Sequence, residues 1–269
     1  MPEVSRGGVR IHYEVAGHGQ PVLLLMGLGV PARGWLPQIE GLQSGYRLLL
    51  PDNRGCGQSD APPGPYSMSQ FADDARAVLD AEGVASAHVV GISMGGMIAQ
   101  RLALDTPQRV RSLALLATHA GGPTAIPTAK ALTIFRRLGT GPTAQERFDL
   151  MGELLYSPAF FRQHRETLRH SMRDPALARQ MTPAAWRAQV SAITGHLTLH
   201  QLGRLAHLPA LIATGTDDLA VRPINSRFLG AALPRARRVQ WAGVGHGCNV
   251  EAAEQVNEEL RRLFVSAPT

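Results

Sequence analysis

Lysine, cysteine and aromatic residues are scarce in this 269-residue chain, and no hydrophobic run approaches the length of a bilayer. Each shortage excludes something. Without about 20 consecutive apolar residues there is no transmembrane helix. Met1 to Gly8 has neither the apolar segment nor the cleavage pattern of a secretory signal, so a cytoplasmic location is expected. Two cysteines, Cys56 and Cys248, cannot build a disulfide framework, and no His/Cys cluster suggests zinc, so reduced thiols and no metal are expected. The net charge is +6, yet Lys130 is the only lysine and no basic run reaches five residues. With no binding motif beside it, that charge predicts no nucleic-acid partner. What the chain has is 44% apolar residues, enough for one globular unit with a sizeable core.

The apolar pattern alternates between strands and helices. Val9 to Val15 alternates in the manner of a strand, Val22 to Met26 and Tyr46 to Leu50 are apolar on both faces as central strands are, and Ser69 is expected to cap a helix running to Glu82 with Gly83 as its stop. A strand at His88 to Ile92 leads into a helix ending near Thr106-Pro107, and Val110 to Ala117 is another strand. The alternation then stops for about ninety residues, far beyond an ordinary connection. From His119 to His207 the pattern is helical, around 128–138, 145–156, 159–172 and 184–193, broken by Pro and Gly. Its aromatic and Met residues (Phe135, Phe148, Met151, Phe160, Phe161, Met172, Trp186) are expected mainly in that segment's own core, and its arginines mostly on a solvated face. Strands at Ala210 to Ala213 and Arg238 to Trp241, with helices at Ile224 to Leu233 and Ala252 to Phe264, complete the rhythm.

Chemistry concentrates where predicted strands end. In Gly91-Ile92-Ser93-Met94-Gly95 a strand turns sharply into a helix, and only small residues at the flanking glycines permit the strained turn that pushes the Ser93 side chain out above the sheet. A hydroxyl there, at a helix N-terminus, is placed to attack a carbonyl. It needs an imidazole to take its proton and a carboxylate to orient the imidazole. Gly215-Thr216-Asp217-Asp218 and Gly243-Val244-Gly245-His246 follow the last two predicted strands in the required sense. A competing signal is Gly27-Leu28-Gly29-Val30-Pro31-Ala32, which fits a dinucleotide fingerprint with Asp52 ending the next strand. Pro31, Gly34 and Pro37 interrupt the helix that such a site needs.

Through MGLG, DNRGCGQSD, GISMGG, GTDDLAVRP and GVGHG the chain resembles the α/β-hydrolase-fold serine hydrolases, in particular carboxylesterases, enol-lactonases and polyketide methylesterases. The resemblance implies an eight-stranded, mostly parallel sheet with helices on both faces, a core of residues 1–118 and 208–269, and a helical cap at 119–207. It implies Ser93 as nucleophile, His246 as base and Asp218 as acid, because Asp218 has the family spacing to Gly215 and Asn225, with Asp217 as the fallback. The oxyanion hole is expected from the N–H groups of Met94 and, by resemblance, Leu28. Relatives commonly carry His-Gly where this chain has Met26-Gly27. Trp186, Phe148 and His119 are the candidates for the substrate pocket. The expected reaction is hydrolysis of a small-molecule ester or lactone without a cofactor. Carbon–carbon bond hydrolysis on the same fold, nucleotide-dependent redox chemistry at the Gly27 loop, and a catalytically idle binding module are the alternatives.

Overall fold

A computed structural model describes residues 2–122, 125–171 and 181–267. Eight strands form one sheet: β1 (Glu3–Arg6), β2 (Val9–Ala16), β3 (Gln20–Leu25), β4 (Tyr46–Pro51), β5 (Ala87–Ile92), β6 (Val110–Leu116), β7 (Ala210–Gly215) and β8 (Arg237–Trp241). Their order is β1-β2-β4-β3-β5-β6-β7-β8. The β1–β2 and β2–β4 pairs are antiparallel, and every later pair is parallel.

The continuous apolar runs serve two cores, one on each face. Leu23 and Leu25 of β3 and Val89 of β5 point to one side, where helices α2 (Met68–Ala81) and α3 (Met94–Asp105) supply Phe71, Val78, Met97 and Leu102. Val22 and Leu24 of β3 and Val90 of β5 point to the other, against Ile39 and Leu42 of α1 (Leu36–Leu42) and Val256, Leu260 and Phe264 of the closing helix at 253–266. Full burial of one such side chain contributes roughly 1.5–3 kcal/mol, so successive leucines in one strand hold different helical layers. A charge at Leu24 would be buried without a partner and would release the second layer.

Helices at Leu36–Leu42 and Cys248–Glu251 add to the elements read from the sequence, and two others differ from it. The N-terminal segment forms strand β1, joined to β2 by Gly7 and Gly8 with φ of +56° and +77°. Two consecutive positive-φ glycines make the tight hairpin turn that suits the strands' twist. Helix α2 is capped by Ser67 and not Ser69: Ser67 accepts from the Gln70 N–H, and the Gln70 side chain accepts from the Ser67 N–H. This reciprocal capping box satisfies two end groups at once, which a lone serine cannot do.

Between β6 and β7 lie four described helices: α4 (Ala129–Leu138), α5 (Ala144–Leu155), α6 (Pro158–Ser171) and α7 (Pro183–Thr194). Thr128, Thr143 and Thr182 cap α4, α5 and α7. The rings of Phe148 and Phe161 pack 5.5 Å apart, with the Arg165 guanidinium 5.4 and 5.1 Å from their centres. Met172, expected in this core, lies outside the described residues. The chain continues through α8 (Asn225–Ala232), α9 (Cys248–Glu251) and α10 (Ala253–Ser266). Among the described residues no helix is long and apolar enough to cross a membrane.

Candidate active site

Strand β5 ends in a turn that sets Ser93 at φ 55°, ψ −121°, a backbone state that residues with a side chain rarely adopt. Local packing enforces it. A Cβ on Gly91 would fall 2.2 Å from the Gly95 carbonyl oxygen, and one on Gly95 would fall 1.9 Å from that of Leu25. The Ser93 N–H donates to the Leu116 carbonyl at 2.9 Å, and its own carbonyl accepts from the Thr118 hydroxyl at 2.7 Å. These contacts over-determine the turn, so its strain of order 1–3 kcal/mol persists. The hydroxyl is left projecting at the start of α3.

The loop after β3 lies against this serine. A Cβ on Gly27 would be 3.2 Å from the Ser93 Cβ, so glycine permits the close approach. Among the described residues, neither the Leu28 nor the Met94 N–H donates a hydrogen bond within the protein. Met94 begins α3, where the first N–H groups have no intrahelical acceptor. Both expected oxyanion donors therefore remain available. The same loop rules out the dinucleotide arrangement: Gly29 has φ +68°, and the chain reaches α1 only at Leu36 after a single 3-10 turn. Asp52 is committed elsewhere, accepting from the N–H groups of Ala32 and Gln58 at 2.8 Å each and meeting His12 Nδ1 at 3.0 Å.

Loops after β7 and β8 bring an acid and a base together. The Nδ1 of His246 lies 2.9 and 2.8 Å from the two carboxylate oxygens of Asp218, and both side chains are buried. A carboxylate can only accept here, so Nδ1 carries the proton and Nε2 is the free, basic nitrogen. Asp218 is itself fixed by the Val221 N–H at 2.8 Å. Asp217 is exposed and bound to the Thr216 hydroxyl at 2.9 Å, so of the two aspartates it is Asp218 that meets the imidazole.

Ser93 and His246 open on one cavity of about 250 Å³. Its walls are the Gly27–Pro31 loop on the sheet side and, opposite, Phe135, Phe148, Met151 and Trp186 from the helices between β6 and β7. Trp186 also touches the loop after β3: a Cβ on Gly29 would be 3.1 Å from its ring. Phe148 and Trp186 thus line the cavity while remaining at least nine-tenths buried. His119 departs from expectation. It is not a lining residue, because its Nδ1 turns inward to accept from the Gly121 N–H at 3.1 Å. Burial, aided by the nearby His246, lowers its pKa to about 4, and burial beside His119 lowers that of His196 to about 3.

Of the cavity residues that the sequence did not single out, the charged one on the helical side is the most informative. Arg147 of α5 is buried and lines the cavity, although it reads as part of a solvated face. The signal was its spacing: Leu150, Met151 and Leu154 lie three, four and seven residues on, so Arg147 shares the helix's apolar stripe.

The sequence matches the family model described as alpha/beta hydrolase fold over residues 20–253. This chain belongs to the α/β-hydrolase fold family. A relative from Azorhizobium caulinodans, named as a candidate carbamate hydrolase, RutD, is 32% identical over 266 residues, covering 97% of each chain. Among solved structures, the enol-lactonase of Burkholderia xenovorans superposes with a TM-score of 0.85 at 25% identity, covering 98% of this chain and all of that one. A thermophilic esterase from Thermogutta terrifontis, solved with malate bound, gives 0.82 at 25% identity, covering 98% and 97%. The α/β-hydrolase has the eight-stranded, mostly parallel sheet of its family, and hydrolysis is the activity class these relatives share.

Proposed function

We propose that the protein is a serine hydrolase that cleaves a carboxylic ester or lactone through an acyl-enzyme. The observation that carries this reading is that the strained Ser93 and the Asp218-bound His246 share one apolar-walled cavity. An unassisted serine hydroxyl is too weak a nucleophile at neutral pH. With its proton passed to His246 Nε2, Ser93 Oγ attacks the substrate carbonyl, and Asp218 stabilises the imidazolium that results. The negative charge on the carbonyl oxygen is received by the N–H groups of Leu28 and Met94. Each such donor is worth roughly 3–4 kcal/mol in a related setting. Collapse expels the alcohol, which takes the proton from His246. In a lactone that alcohol stays tethered to the acyl group. Water, activated by the same imidazole, then releases the acid. Backbone and side chains of this chain serve every step, so the reaction calls for no cofactor.

Residues 119–207 act in this reading as a cap that sets substrate length, since their helices supply the wall opposite the triad. A carbamate is the second reading, favoured by the 32% identical relative. Its carbonyl suits the same triad, but small polar carbamates would leave a wall of Phe135, Phe148, Met151 and Trp186 uncovered. Turnover of p-nitrophenyl acetate, butyrate and hexanoate, simple lactones and alkyl carbamates tests both, with mass spectrometry of the quenched protein. Ester or lactone turnover with an acyl adduct on the Ser93 peptide is expected. Turnover confined to carbamates, or an enzyme that turns over esters with Ser93 replaced by Ala, would overturn the assignment.

A further inference from the structure

The cavity contains a charge that the hydrolytic machinery does not use. Arg147 is 7% exposed, and its guanidinium makes one hydrogen bond, from Nη2 to the Gly29 carbonyl at a long 3.4 Å. Among the described residues it has no carboxylate partner. The other buried arginine among the described residues, Arg54, is paired: it holds Asp74 through two contacts of 2.6 Å. The other arginine of the cavity, Arg33, is neutralised by Glu14 at 2.9 Å. No aspartate or glutamate is among the described residues that line the cavity. Burying a guanidinium without a counter-charge is unfavourable, and arginine does not escape by losing its proton. Burial does hold its pKa below the ordinary value. Among the described residues nothing neutralises this charge, and an anion bound in the cavity would do so.

We propose that Arg147 receives a carboxylate of the substrate, so that the preferred ester or lactone is an anion. This rests on the serine-hydrolase reading of the same cavity. The guanidinium contacts the carbonyl of Gly29, one residue from the Leu28 N–H, which backbone dimensions place within roughly 10 Å. A carboxylate a short carbon chain away from the scissile carbonyl spans that interval, as in a half-ester of a dicarboxylic acid or a carboxylate-bearing lactone. The planar fork of arginine suits such a group and would orient the carbonyl toward Ser93. Binding would also discharge the positive field of an otherwise apolar wall.

The test compares monomethyl glutarate with dimethyl glutarate, which differ by one charge at the remote end. The expected wild-type preference in kcat/KM is at least tenfold for the half-ester. Arg147→Met, similar in bulk and uncharged, is expected to reduce that ratio by about 100-fold, with Arg147→Lys intermediate. A ratio that Arg147→Met leaves unmoved, both substrates falling together, would show that the arginine only braces the Gly29 loop and would overturn the proposal. Calorimetry on Ser93→Ala, which needs neither turnover nor an Arg147 variant that folds, separates this from the serine-hydrolase reading. It should show monomethyl glutarate binding at least tenfold tighter than the diester and weakening with added salt. Equal or reversed affinities there would sink the anion site even if esters are hydrolysed. Tighter half-ester binding without turnover would keep the site while removing the hydrolase reading.

Discussion

The strand ends and the helices between β6 and β7 face each other across one cavity, yet they are held by different means. On the sheet side, position is set by backbone: the φ of Ser93, the contacts that forbid a Cβ on Gly91 and Gly95, the N–H of Val221 on Asp218. On the helical side, position is set by side chains: aromatic rings, the guanidinium of Arg165 above them, and Trp186 against Gly29. Backbone constraints tolerate little variation, while packed side chains can be exchanged for others of similar volume. In the proposed reading chemistry belongs to the first region and selectivity to the second, so substitutions in the two should fail differently.

The largest effect is expected on the sheet side. Ser93→Ala should lower kcat on any accepted ester by roughly 10³-fold or more without lowering the melting temperature. Next comes Asp218→Asn, which leaves the imidazole in the wrong tautomer and should cost about 10³- to 10⁴-fold, while the exposed Asp217→Asn changes kcat less than about threefold. Equal losses from the two aspartate variants would refute the register. Across the cavity, Trp186→Ala or Phe148→Ala removes apolar contact worth roughly 1–3 kcal/mol to a substrate that reaches it. The fall in kcat/KM should therefore be about 5- to 150-fold for hexanoate esters and small for acetates. A uniform loss that tracks melting temperature would mean that these side chains serve only the packing of their helices.

The junction between the regions offers a test by pH. His119 and His196 stand with rings 6.1 Å apart and with pKa values lowered by burial to about 4 and 3. Unfolded, both bind protons near pH 6.5. Between these values the unfolded chain holds more protons, so stability is complete above about pH 6.5 and falls as the pH drops toward 4. Linkage makes the loss roughly 3 kcal/mol per histidine. Urea unfolding at pH 7 and pH 4.5 should show it, and His196→Gln should flatten the slope. A slope unchanged by that substitution would remove the pair from the account. The smallest effect is Ser93→Gly, which relieves the strained φ and should raise stability by about 1 kcal/mol.

What the sequence made legible follows the same division. Strands β3 to β7 fall within two residues of their apolar runs, because a buried parallel strand has little freedom in what it can contain. The meeting of Asp218 with His246 near the Ser93 turn was legible because glycine spacing and strand ends restrict where such residues sit. Strand β1 escaped because its exposed residues show no apolar alternation; its sign was the Gly7-Gly8 turn. The α2 cap was placed two residues late because Ser67 and Ser69 both precede the helix pattern and only Ser67 has glutamine at the third position after it. His119 and Arg147 were exchanged in effect: the histidine expected near the substrate turns into the protein, and the arginine expected in solvent faces the cavity. Both depend on how separate helices pack, which local pattern does not specify.

The most direct test of the central claim is incubation with a fluorophosphonate followed by peptide mapping. Ser93, poised above the sheet with His246 to take its proton, should be the residue modified, at a rate that falls sharply in Asp218→Asn and with no label in Ser93→Ala. A protein that hydrolyses esters yet takes up no label at Ser93, or takes it up elsewhere with loss of activity, would contradict the account.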